Sequence, residues 1–223
     1  MCGRFAISQR DFTHLEQILH AHLGEVSPRY NIAPTSKIPV ILPEEESYVM
    51  QEMRWGLVPS WSREPTTSFA TFNARIETVS QKPAFRSAFR KRRCVIPASG
   101  FYEWHTDEEG IKQPYYFHLK AGHEMALAGL WEEWRGNQEE AAFRSCTILV
   151  GSANPVVGRF HQRMATILPD ALIEDWLNPR ENTDYLLTLL SQPFNDEEMV
   201  ATKVSRKVNS VRNQGEDILL AVE

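Results

Sequence analysis

Apolar residues near the start of the chain recur at helical spacing. Phe12, Leu15, Ile18, Leu19 and Leu23 lie three or four positions apart, which puts them on one stripe of a helix. Ser8 is placed to cap this run and Gly24 to stop it, so the pattern predicts a helix over 9–23. From Ile38 the pattern changes. IPVIL, YVMQEM, CVIPA, FYEW, PYYFHL, MALAGLW and CTILV are short, rich in β-branched and aromatic residues, and separated by polar or glycine-bearing turns. They read as strands of a mostly antiparallel sheet system. Helical patterns return in KPAFRSAFRKR, where Pro83 suits a first turn, in DALIEDWL after Pro169, and in NTDYLLTLL with Asn182 or Thr183 as cap. No repeat, low-complexity tract or linker-like block interrupts these segments. The expectation is one α+β domain over residues 1–223, with peripheral helices around the sheets.

A chain of 223 residues buries roughly 70% of its unfolded surface, so packing alone can hold such a domain together. Its three cysteines, Cys2, Cys94 and Cys146, are widely spaced and form no C-x-x-C pair, which argues against a disulfide framework or a zinc ribbon. Cys94 and Cys146 lie in apolar runs and read as core thiols. His14, His20 and His22 lie on the first helix without a second ligand cluster at metal-site spacing, and read as solvated side chains. No metal and no cofactor are expected. No apolar stretch follows Arg4 and no run of about 18 apolar residues occurs, so a membrane span is not expected and a cytoplasmic, monomeric protein is.

Charge refines this picture. The formal net charge is −5, from 24 Lys and Arg against 29 Asp and Glu, which argues against a general nucleic-acid coat. Arg86, Arg90, Lys91, Arg92 and Arg93, however, crowd five cations into eight residues. The rest of the chain then holds 19 basic residues against 29 acidic ones, a balance of −10. A second basic cluster, Lys203, Arg206, Lys207 and Arg212, follows near the end. Such runs are usually solvated faces. Next to aromatic groups such as Trp55 and Trp61, with Pro59 as a wedge, they also suit unpaired bases better than a duplex.

Four segments carry candidate chemistry. Cys2 becomes the first residue if Met1 is removed, and then offers an α-amine of pKa about 7.7–8.0 beside a thiol of pKa about 8.5. An amine and thiol on one residue suit an aldehyde: a Schiff base forms, then the thiol closes a five-membered thiazolidine. In FNARIET, an extended backbone would put Asn73, Arg75 and Glu77 on one side, with Arg75 suited to phosphate. In SGFYEW, Glu103 lies among apolar neighbours, and burial would raise its pKa toward neutrality for acid–base work; the alternative is a strand with Glu103 pointing outward. In RFHQRM, His161 between Arg159 and Arg163 suits proton transfer beside an anion, and equally suits a surface histidine between arginines.

Taken together, MCGRF, RYNIAP, RWGLVPSW, FNARIET, PASGFYEW, HQRM and VSRKVNSVRNQG resemble the SOS-response-associated peptidase family, also described as abasic-site-processing proteins. The resemblance spans nearly the whole chain. It implies a twisted, barrel-like sheet system with a narrow cleft for single-stranded DNA, and covalent capture of an abasic-site aldehyde by Cys2. It also implies that Asn73 orients the amino-terminal residue and sugar, that Glu103 and His161 move protons, and that Arg4, Arg75 and Arg163 hold phosphates or the lesion. Self-reversal, proteolytic release and β-lyase-like strand incision belong to the same expectation. Two other readings remain open: a non-covalent single-strand binding module, and an N-terminal-nucleophile peptidase acting on other proteins.

Overall fold

Short apolar strands joined by tight connections build the middle of the chain, and their hydrogen bonding closes it into a barrel. The computed structural model describes residues 2–137 and 140–222. In chain order its elements are β1 (Phe5–Ile7), α1 (Thr13–Leu19), β2 (Arg29–Ile32), β3 (Lys37–Glu44), β4 (Ser47–Trp55), β5 (Asn73–Arg75), α2 (Ile76–Val79), α3 (Arg86–Lys91) and β6 (Arg93–Ala98). There follow β7 (Gly100–Thr106), β8 (Lys112–Leu119), β9 (Met125–Trp134), β10 (Phe143–Ser152), α4 (Pro155–Gly158), β11 (Arg163–Ala165), α5 (Ile173–Leu177), α6 (Thr183–Leu190) and β12 (Met199–Lys203).

β10, β4, β3, β6 and β9 are hydrogen-bonded in that order, and β10 also pairs with β9, which closes the ring. β6 is buried along its whole length. Its backbone faces the barrel on one side, and on the other it is covered by α3 and α5, where Trp176 Nε1 donates to the Cys94 carbonyl at 2.8 Å. Strands covered on both sides read as continuous apolar runs, which is why CVIPA shows no alternation. A second sheet, in the order β12, β8, β7, β1, β2, packs its β1 against β6. Phe5 of β1 meets Trp55 of β4 edge-to-face at 5.2 Å, so the two sheets share one core.

The α+β class and the barrel-like, mostly antiparallel sheets are as expected, with every predicted strand segment in place. Two pairings are parallel: β4 with β10 and β5 with β10. The short strands β1, β2, β5, β11 and β12 carry too few residues to show a period.

The first helix is shorter than its apolar spacing suggests. Ser8 does not cap it; its N–H donates to Ser99 Oγ at 2.7 Å, which ties this residue to the start of β7. His20, at φ 49°, ends the helix with its N–H on the Glu16 carbonyl. The helix expected from Pro83 begins at Arg86, with Pro83 in the preceding turn. The Pro169 segment starts as a 3-10 turn over Asp170–Leu172 before α5. Asn182 does cap α6, accepting from the Asp184 and Tyr185 N–H groups.

The basic run is also corrected. Arg93 is 2% exposed and donates to the carbonyls of Phe89, Arg90, Trp176 and Asn178, so it closes the ends of α3 and α5 from inside. Arg92 pairs with Glu132. Arg86, Arg90 and Lys91 remain exposed.

Gly100 marks the closest approach between strands of the second sheet. A Cβ there would lie 2.4 Å from the Phe117 carbonyl oxygen and 2.7 Å from the Tyr116 hydroxyl. Because the first obstacle is backbone, Gly100→Ala is expected to destabilise the protein by about 1–3 kcal/mol through overpacking, read as a lower urea midpoint at unchanged m-value. An unchanged midpoint would mean that β8 moves away freely.

Candidate active site

The sheet pairing carries the amino-terminal residues to Glu103. β1 runs antiparallel to β7, with Phe5 opposite Phe101 and Ala6 opposite Gly100. One step further, the Tyr102 N–H donates to the Arg4 carbonyl at 2.9 Å, so the ladder continues past the end of β1. Cys2 is fully buried. Its thiol is pushed up to about 12, first by burial and then by the negative charge of Glu103, while the Arg4 main-chain N–H reaches the sulfur and works the other way.

Glu103 points inward, which settles the choice left open by its strand position. It is 5% exposed, and burial raises its carboxyl from the ordinary 4.5 to about 7. In β7, Phe101, Glu103 and His105 alternate on one face, opposite Phe117, Tyr115 and Gln113 of β8. Phe160 packs on this face, 4.4 Å from Tyr115, 5.2 Å from Phe117 and 6.2 Å from His105 between ring centroids. The next residue is His161, so this contact brings the histidine loop over the strand that carries Glu103.

His161 is held by main chain. Its Nδ1 lies 2.9 Å from the Arg163 nitrogen and 3.0 Å from the Arg163 oxygen. A neutral ring accepts from the N–H there, and a protonated ring donates to the carbonyl, so either form finds a partner. Burial lowers its pKa below the usual histidine value.

β10 organises the remaining candidates. β5 runs parallel to it, with Asn73 opposite Ile148 and Arg75 opposite Val150, and β11 lies along its last residues, with Arg163 opposite Ser152. Asn73 Nδ2 donates to the Phe72 carbonyl at 3.1 Å, while its Oδ1 is buried and has no donor among the described residues. That oxygen is an open acceptor. Arg75 is exposed. Asn73, Arg75, Thr78 and Lys82 line a groove of about 630 Å³ together with Trp61 and Phe69, which are 64% and 53% exposed.

Several expected roles change. Trp55 is fully buried with Nε1 on the Phe72 carbonyl, and Pro59 is buried too, so neither offers a face to a base; Trp55 ends β4 and packs on Phe5, and Pro59 closes the buried stretch 57–59 just beyond it. Trp61 alone of the three is exposed. Glu77 does not share an extended side with Asn73 and Arg75, because the chain coils into α2 at Ile76. Its carboxylate instead holds Arg163 Nη1 at 2.9 Å from both oxygens. Burial alone would raise the Glu77 pKa, but the Arg163 hydrogen bond, a main-chain hydrogen bond and the charges of Arg163 and Arg75 together lower it. Arg4 is also engaged: Nη1 donates to Asn31 Oδ1 and to the Val208 carbonyl, and its guanidinium lies 5.8 Å from the Trp104 ring. Cys94 and Cys146 are buried thiols, as expected. Phe69 and Asn31 were not singled out by sequence; an aromatic residue inside the polar stretch PTTSFATF was the available signal for the first.

Among the described residues no cluster of three or more ligating side chains could hold a metal, and no helix is long and apolar enough to cross a membrane.

A closed barrel, a second sheet that buries Cys2 beside a raised-pKa glutamate, and a flanking basic and aromatic groove define an α+β protein with a buried thiol–carboxyl pair next to an open cleft. The chain belongs to the family described as SOS response associated peptidase (SRAP), whose model matches residues 1–211. It is 36% identical over 223 residues to the abasic site processing protein YoqW of Bacillus subtilis (strain 168), covering 98% of this chain and 99% of that protein. It is 32% identical to the abasic site processing protein HMCES of Gallus gallus, covering 90% of this chain and 68% of that protein. The fold matches a crystal structure of a protein from Bacteroides thetaiotaomicron with a TM-score of 0.82 at 25% identity over the full length of both chains. A protein from Bordetella bronchiseptica matches with a TM-score of 0.78 at 28% identity, over 92% of this chain and 100% of that one.

The raised carboxyl gives a stability test. Because the folded-state pKa of Glu103 lies above the unfolded value, its neutral form stabilises the fold fully below about pH 4.5, and that contribution is lost as pH rises through about 7. Melting temperatures of the unaltered protein and of Glu103→Gln are expected to diverge across this range in favour of the variant, by about 3 kcal/mol in all at 1.36 kcal/mol per pKa unit. A constant difference from pH 4.5 to 8 would mean that this carboxyl titrates normally.

Proposed function

We propose that the protein processes abasic sites in single-stranded DNA by covalent capture through Cys2 after removal of Met1. The observation that carries this reading is the buried Glu103 carboxyl, with a pKa of about 7, beside Cys2. The names of the relatives support the lesion, and the groove beside Arg75 supports the strand.

The chemistry follows from the groups present. The deoxyribose at an abasic site opens to an aldehyde. The Cys2 amine adds to the carbonyl carbon, and loss of water from the carbinolamine leaves a C=N bond. The thiol then adds across that bond: sulfur bonds to the former carbonyl carbon, and its proton passes to the nitrogen. The product is a thiazolidine, with water as the only other product. A carboxyl near pKa 7 exists as both acid and base at neutral pH, so Glu103 can protonate the departing hydroxyl and take a proton from the incoming amine or thiol. The free thiol, held near 12, stays protonated until substrate arrives. Capture therefore starts at the amine and the thiol closes the ring.

His161, neutral at pH 7 because its pKa is lowered, serves the sugar oxygen during ring opening, and Asn73 Oδ1 accepts from the amino-terminal amine or the sugar. Arg75, Arg4 and Arg163 meet phosphates, Arg163 by exchanging Glu77 for the backbone. Trp61 takes the stacking role, joined by Phe69. A missing base leaves room for Cys2 without the cost of flipping one out. Self-reversal, autoproteolytic release and β-lyase-like incision belong to the same proposal, as do one domain over the whole chain, a monomeric state and a cytoplasmic location.

Incubation with a single-stranded oligonucleotide bearing one abasic site is expected to yield a heat-stable shifted band and a mass equal to protein plus DNA less one water. Cys2→Ala should abolish both. A full-strength band from Cys2→Ala would sink the mechanism, and equal non-covalent binding of intact and abasic strands without any adduct would favour a simple binding module.

Glu103→Gln is expected to slow crosslinking by about 100-fold or more, the usual range for a general acid–base group, while leaving affinity for an intact strand nearly unchanged. Equal loss of both would indicate a structural role instead.

A further inference from the structure

Asn31, from the RYNIAP segment, is 1% exposed in β2, yet no step of the proposed reaction uses it. Its amide is saturated. Oδ1 accepts from Arg4 Nη1 at 2.6 Å, and Nδ2 faces the carbonyls of Val208, Ser210 and Asn213 at 3.2, 3.0 and 2.8 Å. A guanidinium has only donors and those carbonyls only accept, so the amide has a single workable orientation. Its main-chain oxygen accepts from Gln214 Nε2 at 2.9 Å. The carboxy-terminal segment VNSVRNQG, exposed from Asn209 onward, is thus seated on one buried side chain.

Arg4 receives the other end of this arrangement. Its Nη1 is committed to Asn31 and Val208, and Trp104 lies beneath the guanidinium. Its Nε is buried and has no acceptor among the described residues. A planar fork tied at one corner, with a buried donor unmet on the adjoining edge, matches the bidentate geometry by which arginine takes a phosphate. The Arg4 main chain also holds Tyr102 N–H on its carbonyl and turns its own N–H to the Cys2 sulfur. Fixing Arg4 therefore places both an anion-binding edge and the residue beside the nucleophile.

We propose that Asn31 is a positioning residue that aims the open edge of Arg4 at a phosphate next to the lesion, its amide orientation fixed by the carbonyls of Val208, Ser210 and Asn213. This rests on the reading of the site as one for single-stranded DNA. Asn31 is neutral, so by itself it has no reason to alter the salt dependence of DNA binding. Through Arg4 it does.

Binding of an intact single-stranded oligonucleotide, measured across a salt series, tests this. Arg4→Ala is expected to flatten the slope of log K against log salt by about 0.7, the value of one phosphate contact on a single strand. Asn31→Ala is expected to flatten it by the same amount, and the double variant by no more than either alone. Gln214→Ala, which removes the bond to the Asn31 main-chain oxygen but none to the Asn31 side chain or to Arg4, is expected to lower the melting temperature while keeping the full slope. Asn31→Ser repeats the measurement should Asn31→Ala melt below the assay temperature. A full slope in the Asn31 variants, additive losses in the double variant, or a slope change in Gln214→Ala as large as in Asn31→Ala would each overturn the proposal. Failure of the unaltered protein to crosslink abasic DNA would instead overturn the reading of the site, and this inference with it.

Discussion

The pairing of β1 between β2 and β7 is the constraint on which the rest of the molecule depends. Chain ends are commonly frayed, because their few contacts do not offset the entropy of ordering them. Here the first strand is interior to a sheet, so its main-chain groups are satisfied on both sides and Phe5, Ala6 and Ile7 are buried. Cys2 is carried into the core by that ladder. Without it, an aminothiol at the end of a mobile chain would meet aldehydes and oxidants indiscriminately. With it, burial and the charge of Glu103 keep the thiol protonated.

The barrel supplies the rigidity behind this arrangement. Closure through β10 removes free sheet edges and leaves the end of that strand as a mount for β5, β11 and the turn leading to His161. Asn73, Arg75, Glu103 and Arg163 therefore sit on strands, and Cys2, Arg4 and His161 lie within three residues of one, which limits their movement. The surface beyond the barrel is more open. Trp61 and Phe69 stand exposed over the groove that Arg75 enters, and three of the five cations in the run 86–93 face solvent.

Buried polar groups account for much of the specificity. Arg93 links two helix ends by donating only to carbonyls, and Asn31 joins Arg4 to the carboxy-terminal segment. Each would be costly if its partners were lost, since buried donors and acceptors without partners are penalised more than paired ones are rewarded. The same asymmetry makes the open Asn73 Oδ1 and Arg4 Nε informative. Groups of this kind are retained where a ligand completes them.

Much was legible in the sequence. Every strand from IPVIL to CTILV, the Asn182 cap and the core placement of Cys94 and Cys146 followed from local pattern, because apolar runs and capping side chains are properties of the segment itself. Motif order identified the family. The corrected features share a different cause. Trp55, Pro59 and Trp61 share one short segment, yet Trp55 is fixed in the core as the last residue of β4, Pro59 is buried just beyond it, and Trp61 stands exposed where the chain has left the strand. Arg93 reads as one more cation in a basic run until α5 presents its carbonyls.

By itself, then, the sequence determined the kinds of elements, the chemical aptitude of Cys2 and the family. Tertiary structure alone decided the surroundings of each candidate group. Burial pushes the Glu103 carboxyl up to about 7 only because β7 turns it inward, and Arg163 meets Glu77 only because α2 and β11 both pack on β10. Periodicity reports which residues are buried, but the value of a charge depends on what surrounds it. Those surroundings are assembled from parts of the chain that sequence spacing does not relate.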